Sequence, residues 1–292
     1  LNFLAQQGLR VSKGKLQFVE EEVKYLGHLI SKGSRKISSE RIEGIVKQAR
    51  PKTQKELRKF LGLVGYCRLW IEDYAKWTKR LYSQLTQEKP FQIDWVEELD
   101  QDYQQLKRLL VKAPVLSLPN VEKPFHLFVS TEKGVALGVL AQTWAGQKKP
   151  VAYLSEILDP VAQGWPTCIQ AIAAVALLVK KSEKIMLGGA LIVSSPHQIR
   201  TLLRQKAGRW LTDARLLKYE SMLLDHSSLV ITTDNTLNPA QFLSGIGDSN
   251  DKELEHWCTE IVDLETKVRP DLQDTPLQSG ERWYIDGSSR VV

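Results

Sequence analysis

The feature that most constrains this chain is a change of pattern at Pro124. Prolines 114, 119 and 124 break any helix there, and three β-type runs follow in succession: HLFVST, VALGVLAQ and PVAYLSEIL. The turns between them fall at Glu132–Gly134 and Ala145–Gln147, each with a glycine for a tight reversal. Next come an apolar helix over Thr167–Lys181, a strand over Ala190–Ser194, helices over Gln198–Leu203 and Leu211–Leu224, and a strand over Leu229–Thr233. Strands joined by hairpins pair antiparallel, whereas a strand reached through a long helix pairs parallel.

Three antiparallel strands, a helix, a parallel strand and more helix is the element order of an RNase H-like α/β domain. The region before it is of another kind. KLQFVEEEVKYLGHLIS (Lys15–Ser31) alternates, and Gly27 within YLGHLIS suits a hairpin; Leu1–Leu9 reads as the end of a helix closed by Gly8. A basic turn, Lys32–Lys36, leads to Ser38 or Ser39 as the cap of a helix from Glu40. Thr53 caps the next helix, with Glu56 at capping-box spacing. Over Gln54–Leu63 that helix sets Leu57, Phe60 and Leu61, with Val64 beyond, on one face, and Lys55, Arg58 and Lys59 largely on the other. Gly62 and Gly65 interrupt it and mark close approach by another backbone. Further helices are expected over Glu72–Leu85 and Val96–Val111. At 292 residues the prior is two or three domains, and the chain reads as α+β and multidomain.

With 42% apolar and 25% charged residues, a disordered or fibrous chain is excluded. No apolar run reaches the roughly 18 residues of a membrane span, and the first residues lack a secretory pattern, so no membrane partner and an intracellular place (cytoplasm or virion core, not secreted) are expected. Charge is distributed unevenly. Residues 1–120 are net +8, residues 121–240 net +4 and residues 241–292 net −6. Within Lys32–Arg80, 14 basic residues face 5 acidic ones. Such a stripe concentrates a polyanion, nucleic acid being the commonest, although a solvated helical surface can carry the same charge.

The sharpest motif is WYIDGSS near the end, where Asp286 closes a β-type run before Gly-Ser-Ser. A carboxylate at a strand tip can hold a divalent ion; an aspartate opening a turn looks the same. Two-metal nuclease chemistry needs several such carboxylates. If residues 124–235 repeat the fold that restarts at Trp283, HLFVST aligns with WYIDGS and Ser130 replaces the acid. Ser194 and Ser195 then stand where the later strand would place another, and Cys168–Val179 carries no acid. That copy reads as a scaffold without a metal site. Adjacent aspartates, which a polymerase metal pair needs, occur nowhere in the chain. Cys67, Cys168 and Cys258 show neither a disulfide framework nor zinc spacing, and a reducing compartment is expected. The histidines (28, 126, 197, 226, 256) are scattered without ligand spacing; His256-Trp-Cys258 could bind metal, although a surface helix turn is the favoured reading.

VKYLGHLIS, PKTQKELRKFLGLVGYCRLWI, APVLSLPNVEKPFHLFV, PVAYLSEILDPVAQGWPTC, LNPAQFL, RPDLQDTPL and WYIDGSS, in this order, resemble retroviral reverse transcriptase of the gammaretroviral and class I endogenous type, along essentially the whole chain. The resemblance implies the end of the palm over 1–36, a helical thumb over 37–118, a connection domain with a degenerate RNase H-like fold over 119–240, an acidic linker over 241–280 and the start of RNase H over 281–292. It implies a primer grip at Tyr25, Gly27 and His28 around Leu26. Contacts with the duplex backbone are implied at Lys55, Arg58 and Lys59 and close approach to the minor groove at Gly62 and Gly65, with Arg68 a further position, and Asp286 matches the first metal-binding acid of RNase H. The parent would be an RNA-directed DNA polymerase with RNase H, using Mg²⁺ or Mn²⁺. Its partners would be RNA–DNA hybrid, DNA duplex and the remaining fingers, palm and RNase H parts. This chain alone is expected to bind duplex without catalysis and to need no cofactor. A non-catalytic interaction module derived from an endogenous Pol is the alternative.

Overall fold

Four strand reversals are each built from a residue with positive φ followed by a glycine with positive φ: Leu26–Gly27, Lys32–Gly33, Lys133–Gly134 and Ala145–Gly146. This is the type I′ arrangement, whose twist matches that of the flanking strands. The computed structural model describes residues 2–10, 12–86, 92–225, 227–234, 238–244 and 257–266. The chain divides into two units: Leu1–Asn120 with Trp144–Tyr153, and Val121–Thr143 with Leu154–Val292.

The first unit contains α1 (Asn2–Gln6), β1 (Glu22–Tyr25), β2 (His28–Ser31), β3 (Ser34–Ile37), α2 (Ser39–Val46), α3 (Gln54–Tyr66), α4 (Tyr74–Thr86), α5 (Glu97–Val111) and β4 (Leu116–Ser117). Its strands form an antiparallel sheet in sequence order. Both helix starts follow from side-chain chemistry. Ser38 Oγ accepts from the Arg41 N–H at 3.4 Å, and Thr53 Oγ1 from the Glu56 N–H at 3.2 Å. The Glu56 carboxylate answers by accepting from the Lys52 N–H at 2.7 Å, one residue earlier than a standard capping box.

Leu57, Phe60, Leu61 and Val64 of α3 are sealed in a core with Leu81 of α4 and Leu99, Tyr103, Leu106 and Leu110 of α5. Each such burial is worth roughly 1.5–3 kcal/mol over exposure. Asp102, buried on α5, is held by both nitrogens of the Arg80 fork from α4, at 2.7 and 2.8 Å.

The second unit holds β5 (Phe125–Glu132), β6 (Val135–Trp144), β7 (Gln147–Ile157, divided between the units), α6 (Pro160–Gln163), α7 (Thr167–Met186), β8 (Leu191–Ser195), α8 (Ile199–Gln205), α9 (Asp213–Leu223), β9 (Leu229–Thr233) and α10 (Cys258–Glu265). The sheet order is β7-β6-β5-β8-β9, with β5 antiparallel to β6 and parallel to β8, and β8 parallel to β9. α7 is apolar on nearly every side because it is buried along most of its length. Gly138 on β6 makes room for it: a Cβ there would sit 2.8 Å from Leu178 Cδ1.

The mixed, multidomain α and β architecture read from the sequence is thus what the chain adopts, with four local corrections. Three of the five residues of the expected basic turn 32–36 belong to β3, because Lys32 and Gly33 alone reverse the chain. Strand β4 sits between Pro114 and Pro119, where the prolines suggested only a linker. α3 runs through Gly62 and Gly65 to Tyr66, since the buried face on either side outweighs two weak helix formers. α7 continues five residues beyond Lys181 to Met186. Residues 281–292, with Asp286, lie outside the described residues, as does His256.

Candidate nucleic-acid interface

Tyr25 and His28 face each other across the β1–β2 reversal, with Leu26 and Gly27 at its tip. A leucine with φ of +49° is strained, so the turn depends on what holds it. The Leu26 carbonyl accepts from Tyr66 Oη at 2.9 Å and from Arg41 Nη2 at 3.3 Å. The Gly27 carbonyl accepts from the Ser38 N–H at 3.1 Å. Arg41 also lies over the Tyr66 ring at 4.2 Å and against Gly27, where a Cβ would collide with its guanidinium at 2.3 Å. The positive φ favours glycine at that position, and a side chain there would displace the Arg41 guanidinium from the turn.

His28 stacks between Tyr66, 5.1 Å away, and Trp70, 4.6 Å away, and Arg35 lies over Trp70 at 5.0 Å. Burial, and then the charges of Arg35 and Arg41, keep its pKa below the ordinary value, so the ring favours its neutral form. The outcome is a rigidly mounted tip that leaves Tyr25 and Leu26 60% and 65% exposed.

The mount leads directly onto α3. Lys55, Arg58, Lys59, Gly62 and Tyr66 recur at helical spacing along one face, opposite the buried one, and all five are exposed. Several other cations of this unit have acidic partners: Lys47 with Glu43, Arg50 with Asp100, Lys76 with Asp73, Arg80 with Asp102. Among the described residues, none of Lys55, Arg58 and Lys59 makes an ion pair. A Cβ on Gly62 would meet nothing within 4 Å, so no described part of the chain explains that glycine. Gly65 is different, being approached by the Tyr74 hydroxyl at 3.2 Å from where a Cβ would stand. Arg68 is exposed in the short 3-10 turn after α3, beyond the stripe. Tyr66, Arg41 and Trp70 are participants the sequence reading passed over, although Tyr66 falls four residues after Gly62 on the same face.

In the second unit, Ser130 lies on β5 opposite Leu137, and Ser194 and Ser195 close β8. Ser195 Oγ accepts from the His197 N–H at 3.2 Å, and Ser194 Oγ lies 3.4 Å from Thr232 Oγ1. The surface-turn reading of Cys258 is corrected here, since its side chain is buried. Cys168 on α7, His197 in the β8–α8 turn and Cys258 at the start of α10 are all buried, with ligand atoms within 4.8 Å of one another. Distant segments of the fold bring them together, so no sequence spacing could reveal it. Hydrogen bonds from Cys168, then His197 and the Gln198 N–H, outweigh burial and hold the Cys258 thiol well below its ordinary pKa. Cys67 in the first unit goes the other way, pushed up to about 11 by burial.

Residues 95–193 match the family described as "RNase H-like domain found in reverse transcriptase". The fold agrees with solved structures of the foamy viral protease–reverse transcriptase. One, in complex with double-stranded DNA, superposes with a TM-score of 0.73 at 22% identity over 81% of this chain and 42% of that one. Another, in complex with an RNA/DNA hybrid, gives 0.67 at 22% identity over 75% and 30%. The class so defined is the RNase H-like domain found in reverse transcriptase, over residues 95–193.

Along its full length the sequence is of the gammaretroviral Pol type. It is 44% identical to the Gag-Pol polyprotein of Koala retrovirus over 100% of the chain, 43% to that of Avian reticuloendotheliosis virus over 99%, and 40% to the Pol polyprotein of Feline endogenous virus ECE1 over 100%. The chain spans 17%, 25% and 27% of those polyproteins respectively.

Proposed function

We propose that this chain is the duplex-holding part of a retroviral reverse transcriptase, and that it grips template–primer without catalysing either reaction. The observation that carries the reading is the unpaired cation stripe Lys55–Arg58–Lys59, continuing past Gly62 to the Tyr66 mount of the hairpin. In this reading α2 to α5 are the thumb, with α3 following the duplex backbone. The hairpin tip Tyr25–His28 is the primer grip, and the second unit contains the connection domain. Arg68 adds a phosphate contact at the end of α3. Phosphate contacts of this kind fix register and carry no sequence information. The foamy viral relatives, solved with double-stranded DNA and with RNA/DNA hybrid, support duplex as the partner. The fingers, catalytic palm and RNase H of the polyprotein would complete the enzyme and supply its Mg²⁺ or Mn²⁺ ligands.

The test is binding of the purified chain to labelled RNA–DNA hybrid and DNA duplex in two unrelated sequences. Affinities equal between the sequences support the reading; a strong preference for one sequence, or no binding at low salt, overturns it. Polymerase and RNase H assays on the same preparation should be blank with Mg²⁺ and with Mn²⁺. Two-metal chemistry needs several converging carboxylates, and Asp286 is the one candidate acid identified. Activity abolished by Asp286→Asn would show that other acids complete the site.

A further inference from the structure

We propose that Cys168, His197 and Cys258 form a binding site for a soft divalent cation of the Zn²⁺ class, independent of duplex binding. The three side chains are 1%, 6% and 0% exposed, and their ligand atoms lie within 4.8 Å of one another. Cys258 Sγ is 3.8 Å from His197 Nδ1. A sulfur and an imidazole nitrogen on one tetrahedral Zn²⁺, at their usual bond lengths, stand roughly 3.6 Å apart, so little movement closes the site. The ligand set selects the metal: two thiols and an imidazole suit Zn²⁺ and leave Mg²⁺ or Ca²⁺ without oxygen ligands. Charge fits as well. Two thiolates neutralise a divalent ion, which a buried site requires. On binding, each thiol gives its proton to solvent and its sulfur lone pair to the metal, and His197 coordinates as the neutral ring through one nitrogen.

Position supports the same reading. Cys168 is the second residue of α7 and Cys258 the first of α10, both in first turns, where the helix field favours thiolate. β5 and β8 run parallel, and His197 lies just past the end of β8, so the cluster sits at the carboxyl end of these strands. Open α/β sheets bind ligands at that end. Ser130 and Ser195 stand near that end too. A metal would also fasten α10, which buries only Cys258 and Val262 and is otherwise tied by Asp263 to Lys206 and Arg209. No fourth His, Cys, Asp or Glu joins the cluster among the described residues.

The experiment titrates Co²⁺ into the full, reduced chain in a phosphine reductant and follows its absorption, then displaces it with Zn²⁺. The expected result is about one Co²⁺ per chain, with thiolate-to-cobalt charge transfer and the strong visible bands of tetrahedral cobalt, all abolished by stoichiometric Zn²⁺. Cys168→Ser and Cys258→Ser should lose the charge-transfer band, and Cys67→Ser should keep it. Absence of that band in the wild-type chain, which needs no variant to fold, overturns the proposal. So does a band that survives in both serine variants.

Discussion

His28 shows how much of the interface is set by single side chains. Its ring is stacked between Tyr66 and Trp70 and lies near two guanidinium groups, so protonation is opposed first by burial and then by charge. With a folded pKa below the unfolded value of about 6.5, the unfolded chain takes up the proton first. The resulting stabilisation is complete above pH 6.5 and is lost as pH falls through the lower, folded pKa. Thermal melts at pH 7.5 and 5.5 should show a fall in Tm that is smaller in His28→Phe, which keeps the stack but cannot titrate. An equal fall in both would remove His28 as the cause. Tyr66→Phe isolates the next interaction. Loss of one hydroxyl bond to the Leu26 carbonyl should cost about 1 kcal/mol in denaturant unfolding, and the strained turn should loosen. An unchanged midpoint would mean that Arg41 alone suffices to hold the tip.

At the scale of the element, α3 combines stability and function on opposite faces, and Gly62 is where the two conflict. It lies inside a 13-residue helix, exposed, with open space where a Cβ would go. Gly62→Ala should therefore stabilise the chain by roughly 0.5–1 kcal/mol, the usual gain for alanine in a helix. If duplex approaches that surface, the same methyl should weaken binding several-fold. A variant that is more stable and binds as well as wild type would leave the glycine without a functional reason. This element was legible in the sequence: the apolar spacing of Leu57, Phe60, Leu61 and Val64, and Thr53 with Glu56, determine where it starts and which face it buries. Its length was not, because Gly62 and Gly65 are poor helix formers whose local cost is outweighed by a core made with α4 and α5. β4 was hidden for a similar reason, since two residues between prolines become a strand only when Ser34 and Arg35 pair with them.

For the whole molecule, legibility followed contact distance. The second unit was readable nearly element by element because hairpins and helices are local. The Cys168–His197–Cys258 cluster was unreadable, since its members meet only after the sheet has formed; Cys258 and His197 are 61 residues apart. The cation stripe lies between these cases. Its residues were visible as charges, but only the fold shows that they share one exposed face of α3 and that no described acid pairs with them.

The most direct test of the central claim is the salt dependence of duplex affinity for wild type and the Lys55→Ala/Arg58→Ala/Lys59→Ala variant. Each phosphate neutralised by a cation contributes about −0.9 to the slope of log K against log salt concentration on B-DNA. If all three cations contact phosphates, the variant should bind more weakly to every sequence alike and its slope should be shallower by about 2–3. Affinity and slope equal to those of the wild-type chain, in a variant with an unchanged melting profile, would contradict the account.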